Sequence, residues 1–408
     1  MWRIPRPFSV AAMTGILAKA AACALMTSTL LTVADANARD RLAGSPALDL
    51  GWSPARGHLH RHAPDARPPV SRNSGEPGAP CATPPGCGRI VWSRLTLDTR
   101  QAQIVSATPA GRDLRVLTDP PEGASDLDPK WSPDGTRILF PREYDDGRVE
   151  IVVMDATGAH QHVVDFGCTD PCFSDQSPTW APDGRHIAFT RVIGPFDGPN
   201  EGARSAALWV GRDDGTHPRR LSPLDIDAAF MEDVVAEWSP DGSYIQFLRG
   251  RSRPTIQYAV FRMRPDGTDV RQLTPWELDA DEPDLSNASG RSEDLVVFET
   301  RSHAEEAQNI ATVPAGCRPL AACARQIRYL TTNPPDGRTT SFNPAWSPDG
   351  SRIAFAEATF PDPDDARTDW YADIFTMDNH GRDRRLVSPG PEWNFRPNWG
   401  TDPSSARR

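Results

Sequence analysis

"WSPDG" stands at 131–135 and returns at 238–242 and 346–350, with "WAPDG" at 180–184. A tryptophan and a tight turn repeated at spacings near fifty residues describe an architecture before they describe a chemistry. In the turn, proline presets φ, aspartate caps backbone amides through its side chain, and glycine supplies a positive φ. Asp134, Asp183, Asp241 and Asp349 are therefore read as structural.

Around the turn the pattern is regular. Two residues before the tryptophan comes Pro129, Pro178, Pro344 or Pro397, with Ala236 as the exception. After the turn, apolar residues alternate as Ile138/Phe140, Ile187/Phe189, Ile245/Phe247 and Ile353/Phe355, the period of a half-buried strand. A third strand follows, as in "IVVMDATG" at 151–158 and "IFTMDNHG" at 374–381. A short fourth follows that, as in "RRLS" at 219–222 and "RQLT" at 271–274. A weaker copy at 282–300 puts Leu285 where the tryptophan belongs and resumes with Val296/Phe298. The chain enters this region at 89–93 on a second strand, and "FRPNWG" at 395–400 is a first strand with nothing after it. This predicts an all-β fold: a six-bladed β-propeller of four-stranded blades, closed by pairing the C-terminal strand with the three N-terminal ones.

The run P-x-W-S-P-D-G, then I-x-F, then a strand ending M-D-x-x-G, then R-R-L-T, resembles the TolB-type propeller repeat. The resemblance covers about residues 88–400 and concerns the repeat alone. TolB of the Tol-Pal system has an α/β domain before its propeller, and residues 39–87 are too short and too rich in proline to be one. A Tol-Pal role therefore does not follow.

Residues 1–38 read as a secretory signal peptide. Arg3 and Arg6 open it, an apolar run fills 20–34, and "ANA" at 36–38 offers small residues for cleavage before Arg39. Residues 39–87 read as a flexible linker, 88–400 as the propeller and 401–408 as a disordered tail. With the leader removed, no membrane span is expected. The chain carries a net charge of −11, and losing Arg3, Arg6, Lys19 and Asp35 makes it two units more negative. Such a balance argues against nucleic acid as a partner, because few cations are present to replace counterions.

Beyond Cys23, six cysteines fall in close pairs: Cys81 with Cys87, Cys168 with Cys172, and Cys317 with Cys323. An even, locally paired set behind an export signal reads as disulfides in a secreted or periplasmic protein. Each small loop stabilises by roughly 2 kcal/mol in the chain-entropy account.

Candidate chemistry is sparse. Five residues before the first-strand tryptophan stands a polar position: Asp126, Asp175, Asp233, Ser341 and Asn394, with Asp281 beside Ala280 in the weak copy. These residues are expected at the upper mouth of the central channel, either as oxygen ligands for a cation such as calcium or as caps on backbone N–H groups. No other cofactor is expected. "HLHRH" at 58–62 lies in the linker, and no G-x-S-x-G is present. Glu232/Asp233 is an acidic pair able in principle to do acid–base work. The expected function is a non-enzymatic binding module, monomeric, with a protein or envelope component as partner. The alternative is an extracellular hydrolase or lyase using top-face carboxylates.

Overall fold

The computed structural model describes residues 88–96, 99–194, 205–224, 232–251, 257–286, 294–300, 308–334, 338–359, 371–388 and 390–401. The expected signal peptide and linker lie outside these residues, as does the expected C-terminal tail beyond Thr401. The expected disulfide between Cys81 and Cys87 lies outside them too, since both cysteines precede residue 88.

Short antiparallel strands follow one another in chain order. The first three are β1 (Ile90–Leu95), β2 (Ala102–Ala107) and β3 (Arg115–Val116). Blade 1 comprises β4 (Ala124–Asp126), β5 (Lys130–Trp131), β6 (Arg137–Tyr144), β7 (Val149–Asp155) and β8 (His162–Val163). Blade 2 is β9 (Cys172–Trp180), β10 (His186–Ile193), β11 (Ser205–Arg212) and β12 (Arg219–Arg220). Blade 3 is β13 (Glu232–Trp238), β14 (Ile245–Arg251), β15 (Gln257–Met263) and β16 (Arg271–Gln272). Blade 4 is β17 (Ala280–Leu285), β18 (Leu295–Thr300), β19 (Asn309–Pro314) and β20 (Arg328–Tyr329). Last come β21 (Thr339–Trp346), β22 (Arg352–Thr359), β23 (Tyr371–Asp378), β24 (Arg385–Leu386) and β25 (Trp393–Trp399). Among the described residues the helices are a 3-10 turn at Trp276–Leu278 and α1 (Leu320–Gln326).

The hydrogen bonding corrects the expected six separate four-stranded blades. Blades 1 to 4 are sheets of their own, whereas β21–β24 and β25–β1–β2–β3 belong to one eight-stranded sheet. The expected closure is corrected with it. Strand β25 lies antiparallel to β1, with Ile90 opposite Trp399 and Leu95 opposite Trp393. Yet β25 also meets β23 in a parallel bridge, Ala372 to Trp393. Asn394 Nδ2 donates to Ala372 O at 3.1 Å across the same seam. The strand therefore fuses two sets of strands instead of completing a blade apart.

The repeated turn behaves as its residues dictate. Ser132 Oγ donates to Asp134 Oδ1 at 2.6 Å, Thr136 N donates to the same oxygen at 3.1 Å, and Arg137 N donates to Ser132 Oγ at 2.9 Å. The arrangement recurs at Ser239/Asp241 and Ser347/Asp349. Gly135, Gly184, Gly242 and Gly350 all have φ between 63° and 70°.

The core lies between sheets. The motif tryptophan and the I-x-F pair of one sheet face apolar residues of the preceding one, as Trp180, Ile187 and Phe189 meet Leu139, Ile151 and Val153. The motif strands stand side by side in succession, and β25 returns to β5.

Candidate functional site

The expected mouth residues are all buried, and each is tied to a partner near at hand. Asp126 accepts from Arg142 at 2.6 and 2.9 Å, Asp175 from Arg191 at 2.7 and 2.8 Å, and Asp233 from Arg249 at 2.7 and 2.8 Å. Each guanidinium also stands over a phenylalanine of its own strand, 5.5 to 5.7 Å from the ring centroid of Phe140, Phe189 or Phe247. Asn394 Oδ1 accepts from Trp92 Nε1 at 2.7 Å and from Arg94 Nε at 3.1 Å. Ser341 Oγ donates to Glu357 at 3.1 Å, and Asp281 Oδ1 accepts from Glu282 N at 2.9 Å. The sequence reading overlooked these arginines. Their signal is an arginine two residues after the phenylalanine, as I-x-F-x-R at 187–191 and 245–249. Fork-to-fork pairing uses both carboxylate oxygens, which leaves these aspartates poorly placed to ligate calcium.

Below the mouth, every motif strand turns through a left-handed residue three positions before its tryptophan site. Asp128, Ser177, Val235, Glu282, Asn343 and Arg396 have φ between 42° and 53°, where the register with the second strand shifts. These bulges aim side chains inward and assemble a buried ion network. Arg396 donates to Asp128 at 3.1 Å and to Glu282 at 2.9 Å. Lys130 Nζ lies 2.7 Å from Glu237 and 3.5 Å from Asp128. Thr179 Oγ1 donates to Glu237 at 2.7 Å. Burial would raise the Asp128 carboxyl, but Lys130 and Arg396 outweigh it and hold it low. Burial pushes Glu282 up to about 8 against Arg396, and burial with the Glu237 charge pushes Asp284 up to about 7.

Blade 3 departs from the repeat at its upper end. There Glu232 lies opposite Gly250, which lies opposite Tyr258. The same register holds Ser125, Glu143 and Val149 in blade 1 and Ser174, Val192 and Ala206 in blade 2. In the large sheet it holds Thr340, Ala358 and Ala372, and Trp393, Leu95 and Ala102. In blade 3 the Tyr258 phenol donates to Glu232 Oε1. Glycine is required between them: a Cβ at Gly250 would come within 2.9 Å of both Glu232 Cγ and Tyr258 Cε1. Burial raises the Glu232 carboxyl to about 7. The phenol opposes that rise, and the charges of Asp233 and Asp281 add to it. Tyr258 is itself anchored, its N–H donating to Asp279 at 2.7 Å.

Two of the three expected disulfides are present, Cys168–Cys172 and Cys317–Cys323. The third expected pair, Cys81 with Cys87, precedes residue 88 and lies outside the described residues. Cys168, Cys172 and Asp175 come within 4.8 Å of one another. The sulfurs are spent in the bond and the carboxylate on Arg191, so the group offers a metal nothing as it stands. Among the described residues no helix is long and apolar enough to cross a membrane.

No family model matches the chain, and no curated protein resembles it in sequence. Its fold is similar to TolB from Acinetobacter baumannii, at 19% identity and a TM-score of 0.53, over 77% of this chain and 66% of that one. It is equally similar to Kuenenia stuttgartiensis hydrazine synthase, at 12% identity and a TM-score of 0.54, over 76% of this chain and 46% of that one. The chain thus spans less than two thirds of either protein. An oligogalacturonate lyase in complex with manganese, at 11% identity and a TM-score of 0.43 over 74% of each chain, is too remote to carry an argument.

The fold is a β-propeller with distant likeness to TolB. The expected membership of a six-bladed TolB-type family is corrected, since identities of this size establish architecture alone. The expectation of a non-enzymatic binding module is corrected too. The fold is similar to that of a hydrazine synthase as much as to that of TolB, and blade 3 holds a carboxyl and a phenol in contact.

Proposed function

We propose that the protein is a hydrolase or lyase whose acid–base group is Glu232. The observation that carries this reading is the Glu232–Tyr258 pair seated on Gly250, which the same register of blades 1 and 2 and of the large sheet does not repeat among the described residues. A structural contact recurs with the repeat; a reactive site need occur once. A carboxyl near 7 is divided between acid and base at neutral pH, the condition that favours proton transfer in either direction. As the carboxylate it takes a proton from water or from a carbon acid. As the acid it returns a proton to a leaving oxygen or nitrogen. The phenol holds the carboxylate in one orientation and stabilises its charged form. The export-like N-terminus and the two disulfides support work outside the cytoplasm, in a secreted or periplasmic setting.

The test is turnover of polysaccharide and peptide libraries by the full chain, compared with Glu232→Gln and Tyr258→Phe. Glu232→Gln should lower kcat at least about 100-fold, the usual worth of a general acid–base group. Tyr258→Phe should move the pH–rate inflection near 7 upward, because the phenol favours the carboxylate. Turnover unchanged in Glu232→Gln would sink the assignment of the site. No turnover of any library member would sink the enzymatic reading.

A further inference from the structure

The sheets meet one another through a repeated contact. At four joints an apolar residue of the second strand shares a buried cluster with the tryptophan of the next motif strand: Leu139 with Trp180, Ala188 with Trp238, Val297 with Trp346, and Val91 with Trp131. Those apolar residues share one register, each lying opposite the residue just before the tryptophan site of its own sheet. In blade 3 that register belongs to Gln246, opposite Glu237. In blade 4 the tryptophan site belongs to Leu285, opposite Val296. Both departures fall on the joint between blades 3 and 4. An amide replaces an apolar side chain, and the large ring it should meet is reduced to a leucine.

The amide is fully buried, at 0% exposure, and neither Nε2 nor Oε1 has a hydrogen-bond partner among the described residues. A buried amide without partners costs stability each time the joint closes over it. Polar contacts also span the joint. Tyr258 N donates to Asp279, Arg262 Nη1 donates to Ala315 O at 2.7 Å, and Tyr244 Oη donates to Asp294 at 3.4 Å. Water competes for such contacts when the surfaces part, and an apolar contact has no such replacement. The Glu232–Tyr258 pair lies on the same face of blade 3, at the upper end of this joint.

We propose that the joint between blades 3 and 4 is where neighbouring sheets separate. Gln246 and Leu285 set its compliance. Insofar as the acid–base reading of Glu232 holds, this opening is also the route by which substrate reaches it. The tryptophan joints at Trp131, Trp180 and Trp238 each bury one indole Nε1 with no hydrogen-bond partner among the described residues, whereas this joint buries both polar atoms of an amide and has a leucine in place of the ring, so opening gains more from water and loses less apolar contact here.

Hydrogen exchange followed by mass spectrometry on the full chain tests this without any activity. Amides of β14 and β17 should exchange at least about 10-fold faster than those of β10 and β13, which meet at a tryptophan joint. Gln246→Leu should raise the melting temperature and slow exchange in β14 and β17 alone. Gln246→Met, close to glutamine in length and volume, should do the same and guards against a packing failure specific to leucine. Equal exchange at the two joints would overturn the proposal. So would a fall in melting temperature in both variants, since the amide would then be satisfied and the joint sealed. If exchange follows the expectation while Glu232→Gln leaves turnover intact, the compliant joint stands and only the acid–base reading falls.

Discussion

At the residue scale, the charged side chains of this protein are used in pairs. Asp175 and Arg191 have side-chain exposures of 9% and 8%, so neither charge is well solvated by water. Asp175→Asn would leave Arg191 buried without its counter-charge, at a cost of about 3 kcal/mol or more. Urea denaturation of the full chain checks this. Because both oxygens of Asp175 are engaged by the arginine, millimolar calcium should leave the melting temperature of wild type and variant unchanged. A calcium-dependent rise in the wild type that vanishes in the variant would show instead that the mouth aspartates ligate the ion.

At the scale of elements, the last residue before the tryptophan site joins one motif strand to its neighbour. Asn398 Oδ1 accepts from Trp131 N at 2.9 Å, and Asp284 Oδ2 accepts from Trp346 N at 2.6 Å. Capping of backbone N–H groups was one of two roles expected of the polar position five residues before the tryptophan; at these joints it is carried four residues later. Asn398→Ala would leave a backbone N–H of β5 unpaired and should cost about 1–3 kcal/mol. Asn398→Asp keeps an acceptor and should recover most of that loss in the same denaturation experiment. Equal loss in both variants would assign the effect to packing instead.

For the whole molecule, the buried network carries more acid than base, and stability should therefore depend on pH. Glu282 near 8, with Asp284 and Glu232 near 7, stand above the values of an unfolded chain. The folded state thus binds these protons more tightly than the unfolded state. Their contribution is complete below about pH 4 and is lost as pH rises through 7 to 8, a change on the order of a few kcal/mol. Turn aspartates work in the opposite sense. Asp155, held at about 2 chiefly by its hydrogen bond from Thr157, favours the folded state above about pH 4 and less so in stronger acid. The melting temperature should peak in mild acid and fall towards pH 9. Glu282→Gln, which cannot ionise, should flatten the alkaline limb. An unaltered limb in that variant would place the titrating group elsewhere.

Sequence alone determined the strands, the turns and their repetition. Each depends on neighbours along the chain: proline and glycine at the turn, and apolar residues two apart in the strand. Local spacing likewise paired Cys168 with Cys172 and Cys317 with Cys323. Tertiary structure alone decided the grouping of strands into sheets, because one parallel bridge from Ala372 to Trp393 fuses strands that the repeat keeps apart. It also decided the chemistry. The left-handed turn at Asp128 or Arg396 has no glycine to announce it and is held by contacts distant in sequence. Glu232 stands out in a linear reading only as half of an acidic pair with Asp233, and Gly250 and Tyr258 carry no signal there. They become a site only when three strands in register place a carboxyl and a phenol over a residue with no side chain, where burial moves a proton equilibrium that no local pattern encodes.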